Sequence, residues 1–88
     1  MERPLLYGKY RGIVTDNLDP RGICRIRAKV PTVYGDMESP WANPCLLFAD
    51  KDIAIKHIPP AGSFVWIEFE KGDSNLPIWT GCYYSTPM

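Results

Sequence analysis

GICRIRAKV, residues 22–30, alternates apolar and basic side chains along most of its length. Successive side chains of a β-strand point to opposite faces, so this period of two predicts a strand with one buried face and one solvated face. The side chains predicted to be buried are Cys24, Ile26, Ala28 and Val30. The charged face carries Arg25, Arg27 and Lys29, with Ile23 as its only apolar residue.

Four further strands are predicted. One precedes this segment, at residues 7–15, and three follow it, at 41–48, 63–70 and 78–84. Nine prolines and seven glycines interrupt the chain, and the short runs between them are rich in Val, Ile, Phe, Tyr and Trp. This pattern is typical of an all-β protein. Within 63–70 the residues Val65, Ile67 and Phe69 are predicted to share one face.

The segments between the predicted strands contain residues that favour turns and loops. Residues 16–22 and 70–75 combine Asp, Asn, Gly and Ser, and Pro20 lies in the first of them, so both segments are predicted turns. Residues 31–40 are expected to form a long loop, and Pro44 indicates an edge strand or a bulge. Residues 50–57 are ambiguous and are compatible with one helical turn. Ile78 and Trp79 must point to opposite faces, so only one of them faces the interior.

Five short strands suit a small closed barrel, because closure removes the exposed edges of an open sheet. An element between the third and fourth strands would match the OB-fold, a five-stranded Greek-key barrel, with an SH3-like barrel as the nearest alternative. The 88 residues are expected to form one domain, 1–88, with a barrel core at 7–84 and flanking termini at 1–6 and 85–88.

The composition restricts the function classes. Ten basic and ten acidic residues give zero formal charge, which argues against a strong electrostatic nucleic-acid binder. No apolar run is long enough to span a bilayer or to act as a signal peptide, so the product is expected to be made in the cytoplasm without stable membrane insertion. Three cysteines without tight spacing predict reduced thiols.

No catalytic, cofactor or metal site is expected, and the chain is predicted not to be an enzyme. Three cysteines and one histidine would suffice for a zinc site, but none of them are close in sequence. They are Cys24, Cys45, Cys82 and His57. The aspartates fall in predicted turns, and the glycines form no phosphate-binding signature.

Four segments, in order along nearly the whole chain, carry a resemblance. They are YRGIVTDNLDPRGICRIRAKVP (10–31), the Tyr34-Gly35-Asp36 loop leading to Ser39-Pro40-Trp41-Ala42, PPAGSFVWIEF (59–69) and GDSNLPIWTG (72–81). Together they resemble the OB-fold domain of contractile-tail spike and hub proteins. These include the lysozyme-bearing spike of T-even phages, phage baseplate assembly protein V and the valine-glycine repeat protein of type VI secretion.

The resemblance implies a structural component of a phage tail baseplate or a related injection particle. It implies a homotrimer that links tail-tube or hub proteins to a membrane-piercing spike or needle protein. Members of this family continue into a β-helical needle, and their lysozyme activity lies in a separate domain. This sequence ends at residue 88, so it is expected to be an adaptor, a partner of a separate needle chain, or a fragment.

Aromatic residues exceed what one small barrel interior needs, and Tyr and Trp are enriched at protein interfaces. The aromatic residues predicted at an interface are Tyr34, Trp41, Trp66 and Trp79. Arg25, Arg27 and Lys29 are expected either to be a solvated strand face or to form ion pairs between subunits. The alternative is that these basic residues bind single-stranded nucleic acid together with Trp66 or Tyr10. Loops 31–40 and 49–62 are the expected docking elements.

Overall fold

A computed structural model of the chain describes residues 5–46 and 58–85, and these residues form an all-β domain, as predicted. The elements are β1 (Tyr10–Asp16), β2 (Arg27–Lys29), the one-turn helix α1 (Pro31–Tyr34), β3 (Asn43–Pro44), β4 (Phe64–Phe69), a 3-10 turn (Glu70–Gly72) and β5 (Pro77–Cys82).

The five strands form one curled sheet in the order β2-β1-β4-β5-β3. Neighbouring strands are antiparallel except β3 and β5, which are parallel. The two edges of the sheet are linked where Ile26 and Ala42 exchange backbone hydrogen bonds, with N···O distances of 3.2 and 2.7 Å. The sheet is therefore a half-barrel whose edges meet at one bridge, which confirms the predicted five-stranded OB-fold.

The core lies on the concave side of this sheet. Its buried residues are Val14, Ile26, Ala28, Val30, Ala42, Val65, Ile67, Phe69 and Trp79. The alternation in 22–30 and 63–70 therefore predicted the inward-facing side chains correctly. Because hydrophobic burial is the main favourable term in folding, this alternation is also what fixes the curl of the sheet toward one side.

Several predicted boundaries were wrong. Only Arg27–Lys29 of the strand predicted at 22–30 joins the sheet, because residues 19–25 form a loop in which Cys24 has φ 67°. In the described part of the strand predicted at 41–48, residues 41–46, the strand is limited to Asn43–Pro44, and the loop predicted at 31–40 contains α1. The helical turn considered at 50–57 lies outside the described residues.

Close approach of the strands explains Gly12. A Cβ atom there would lie 3.2 Å from both the Ile67 side chain and the Lys29 carbonyl oxygen. Register shifts in β1 and between β4 and β5 add local twist. The absent side chain and the irregular registers together allow the short strands to curl into a barrel.

Candidate interaction surface

The convex face of β1, β4 and β5 carries an outer aromatic patch, formed by Arg11, Ile13, Phe64, Trp66 and Tyr83. The strand register places Arg11 opposite Trp66 and Ile13 opposite Phe64. Tyr83 follows β5, and its backbone N–H donates to the Phe64 carbonyl oxygen at 3.0 Å. These side chains point outward because their neighbours in sequence, such as Gly12 and Val65, face the core.

The rings of the patch contact one another and one cation. The Trp66 and Tyr83 ring centroids are 4.5 Å apart, and those of Phe64 and Tyr83 are 5.6 Å apart. The Arg11 guanidinium carbon lies 5.3 Å from the Trp66 ring centroid and 4.9 Å from that of Tyr83. Such cation–π contacts hold the guanidinium over the rings without using its N–H donors.

Arg11 is exposed, and within residues 5–46 and 58–85 no carboxylate forms an ion pair with it. The nearby Lys9 instead pairs with Glu68 at 3.3 Å on the same face. The patch therefore combines half-buried aromatic rings with an unneutralised positive charge. Trp, Tyr and Arg are the residue types most enriched where protein interfaces derive their affinity.

A second exposed feature is the acidic loop, residues 36–38, which lies along the edge of β2 away from β1. Asp36, Met37 and Glu38 are all exposed, and Met37 retains 73% of its accessible surface. Glu38 lies opposite Lys29 in an isolated bridge, and the Thr15 hydroxyl donates to its carboxylate at 2.5 Å. The loop thus presents one apolar side chain between two carboxylates.

The basic residues of the strand predicted at 22–30 do not form an open positive face. The guanidinium carbons of Arg25 and Arg27 lie 5.4 and 5.8 Å from the Trp41 ring centroid. Arg25 pairs with Asp19 at 2.7 Å, and Arg27 Nε donates to the Ser39 carbonyl oxygen at 3.0 Å. Trp41, Arg25 and Arg27 are therefore grouped, but both cations already have internal partners.

Asp19 organises the loop that precedes β2, a role that sequence reasoning did not separate from an ordinary turn. Its carboxylate accepts backbone N–H bonds from Arg21, Ile23 and Arg25 at 2.9–3.1 Å, and two more from the Arg25 side chain. The bond from the Arg25 side chain is the main cause that lowers the pKa of Asp19 well below its usual range. The signal in the sequence was the Asp-Pro-Arg-Gly turn, residues 19–22.

Two of the predicted interface aromatics serve the fold. Trp79 is 6% exposed, and its Nε1–H donates to the carbonyl oxygen of Cys24 at 3.0 Å, so it belongs to the core and not to a surface. The hydroxyl of Tyr34 donates to the Ser74 carbonyl oxygen at 2.7 Å, and burial raises the pKa of Tyr34 to about 12. Trp41 and Trp66 remain half-buried at the surface, and Lys29 is exposed.

The cysteines do not come together. Cys24 is buried in the barrel, whereas Cys45 and Cys82 are exposed, and His57 lies outside the described residues. In the part of the chain that the structure describes, no three His, Cys, Asp or Glu side chains are grouped so that they could hold a metal ion. The same residues contain no helix long and apolar enough to cross a membrane.

Comparison with known protein families identifies the domain. A search of curated proteins found no match to this chain. Residues 10–84 match the family described as the type VI secretion system/phage-baseplate injector OB domain, and this match spans all five strands and the aromatic patch. The chain therefore belongs to the family of type VI secretion and phage-baseplate injector OB domains.

Proposed function

We propose that the chain is a structural component of a phage tail baseplate or a related contractile injection machine. In this proposal three copies of the barrel form a hub that joins the tail tube to a membrane-piercing spike. The observation that supports it is the family match over residues 10–84, which includes the whole barrel and not a single motif. The proposed partners are tail-tube or hub proteins and a spike or needle protein, in a virion tail or an equivalent injection particle.

The proposed mechanism is mechanical and involves no catalysis or cofactor. A hub has to stay rigid while a force is transmitted along the tail axis. The barrel supports this role because the two edges of its sheet are bridged to each other and its core is made of packed apolar side chains. Association would add buried surface to a chain of 88 residues, whose single core leaves a small margin of stability.

The surfaces proposed to contact other subunits are the outer aromatic patch around Trp66 and the group formed by Trp41, Arg25 and Arg27. Lys29 adds an exposed positive charge beside the second group. Both surfaces combine aromatic rings with arginine, a combination that is common at protein interfaces. The domain is proposed to act without inserting stably into a membrane.

Binding of single-stranded nucleic acid is the second candidate, because arginines lie over aromatic rings at two places on the barrel. Three features favour the structural role instead. Asp36 and Glu38 lie beside Lys29 around one shallow depression, Arg25 is neutralised by Asp19, and Arg11 covers the rings on which a base would stack. A phosphate backbone would meet acidic groups along β2.

The experiment that tests the proposal is sedimentation equilibrium of the purified chain over a wide concentration range. Three copies of the 10.0 kDa chain have a mass of 30 kDa, and we expect this species to dominate at high concentration. A chain that stays monomeric at every concentration, and also fails to bind purified tail-tube and spike proteins, would contradict the proposal. Salt-dependent binding to a single-stranded oligonucleotide would favour the second candidate.

A further inference from the structure

We propose that the acidic loop of one copy, residues 36–38, docks on the outer aromatic patch of the next copy. The contact is head-to-tail, and it rests on the assembly of copies proposed above. In this contact a carboxylate of the acidic loop pairs with Arg11 of the neighbouring copy.

The patch offers a site for an anionic group next to an apolar one. Arg11 is fixed over Trp66 and Tyr83, and no described carboxylate pairs with it. Its guanidinium can bind a carboxylate through two parallel N–H bonds. Ile13 is 42% exposed beside it, so apolar surface surrounds the cation.

The acidic loop has the complementary chemistry. Asp36 is exposed and forms no ion pair within the described ranges. Met37, which follows it, projects almost three-quarters of its surface into solvent. A thioether at the edge of an aromatic ring is a favourable contact, so Met37 does not need the ring faces that Arg11 covers, and a flexible methionine adapts to an irregular surface. One loop can therefore supply a carboxylate to Arg11 and a methionine to Trp66 and Tyr83.

Both surfaces are free in the same copy. The patch is centred on β4, whereas the loop lies at the edge of β2 away from β1, so that β1 and β2 separate their centres. A contact between two different surfaces is heterologous, and it generates a closed ring when the rotation between copies allows it. Each copy then uses its loop on one neighbour and its patch on the other.

Other occupants fit less well. An oligonucleotide would need open ring faces, but Arg11 already covers Trp66 and Tyr83. The charge balance of the chain also favours a second copy, because the acidic group that the patch lacks is displayed elsewhere on the same barrel. A different protein with an acidic segment remains an outcome that the test below separates.

The test is disulfide formation between two singly substituted chains. In a background in which the exposed Cys45 and Cys82 are changed to serine, one chain carries Ile13→Cys and the other carries Met37→Cys. The chains are mixed at low concentration, concentrated and oxidised with copper phenanthroline. We expect a cross-linked dimer of 20 kDa, two 10.0 kDa chains, from the mixture and not from either chain alone.

A matched control replaces Met37→Cys by Leu18→Cys, because Leu18 is also highly exposed, at 81%, but lies in the loop between β1 and β2. Equal cross-linking by the control would overturn the proposal. So would an absence of cross-links in a sample that sedimentation shows to be trimeric, and in that case the proposed hub function would stand. A chain that is monomeric at all concentrations contradicts this inference, and it contradicts the hub function as well if the chain also fails to bind tail-tube and spike proteins.

A charge exchange gives an independent readout. We expect Arg11→Glu to weaken self-association roughly tenfold or more, since it places like charges at the contact. Adding Asp36→Lys to the same chain should restore association, whereas Asp36→Lys alone should weaken it. Far-UV circular dichroism shows whether each variant is folded. If Arg11→Glu abolishes oligonucleotide binding or binding of an acidic partner protein while self-association is unchanged, the proposal is wrong.

Discussion

Replacement of Trp79 tests the barrel most directly, because one side chain fills the core and also binds a loop 55 residues away in sequence. Trp79 is 6% exposed and lies opposite Ile67, which is fully buried. Truncation of a buried Trp to Ala costs about 3–5 kcal/mol. At about 0.05–0.15 kcal/mol per residue, 88 residues give a total stability of about 4–13 kcal/mol. Trp79→Ala should therefore remove a large share of the stability or unfold the chain.

Trp79→Phe separates packing from hydrogen bonding. It keeps an aromatic ring in the core but leaves the Cys24 carbonyl oxygen without its donor, which costs about 1–3 kcal/mol for a buried group. Urea denaturation followed by far-UV circular dichroism measures both variants, with Trp66→Phe on the convex face as the matched control. The reasoning would be refuted if Trp79→Phe and Trp66→Phe had the same denaturation midpoint, or if Trp79→Ala melted like the unaltered chain.

Three further changes test single contacts by thermal or urea unfolding. Ser39→Ala removes a fully buried hydroxyl that accepts the Ala28 N–H at 3.1 Å, and should cost about 1–3 kcal/mol. Gly12→Ala adds a methyl group 3.2 Å from its neighbours, so about 1–3 kcal/mol of overpacking is expected; equal stability would contradict the close approach of the strands. The pKa of Asp19 is lower in the folded chain than its usual value of about 4. Its ionised carboxylate therefore stabilises the fold above that pH, and this contribution is lost as the pH falls below it. Asp19→Asn should be less stable at pH 7 and should lose less stability between pH 5 and pH 2, whereas equal pH profiles would count against the role of the carboxylate.

The alternation of side chains allowed the fold to be predicted from the sequence, but it could not decide which face of the last strand is buried. Ile78 and Trp79 alternate, and either could have faced inward. Their partners on β4 decide the matter, because Trp79 lies opposite Ile67 and Ile78 lies opposite Glu68. Strand register depends on contacts between distant segments, so a local pattern cannot supply it.

The start of β2 was predicted too early for a related reason. Residues 22–26 alternate as a strand would, but the Asp19 side chain accepts the backbone N–H groups of Ile23 and Arg25. An Asp side chain competes with a sheet for such donors, and the short sequence distance gives it an advantage. The alternation still predicted burial of Cys24 and Ile26, although Cys24 lies in a loop and Ile26 is paired only through its bridge to Ala42.

The candidate site was only partly predictable. Trp66, which was predicted at an interface, is half-buried on the convex face, but Arg11, Tyr83 and the acidic loop were missed, although each residue lies in a segment whose general structure was predicted. Their importance arises from juxtaposition: Arg11 is 55 residues from Trp66 in sequence and directly opposite it in the sheet. Knowledge of the register between β1 and β4 would have revealed the pair, since both residues belong to the outward-facing set.

The barrel divides its residues into two sets with different roles, and this division makes assembly separable from folding. Inward-facing residues such as Ile67 and Trp79 form the core, while Arg11 and Trp66 lie on the opposite face of the same strands. Exposed charge contacts contribute little to the stability of a single chain, roughly 1 kcal/mol or less. Arg11→Glu should therefore leave the melting of the dilute monomer nearly unchanged while it weakens association. A loss of monomer stability as large as that of Trp79→Phe would mean that the patch serves the fold and not an interface.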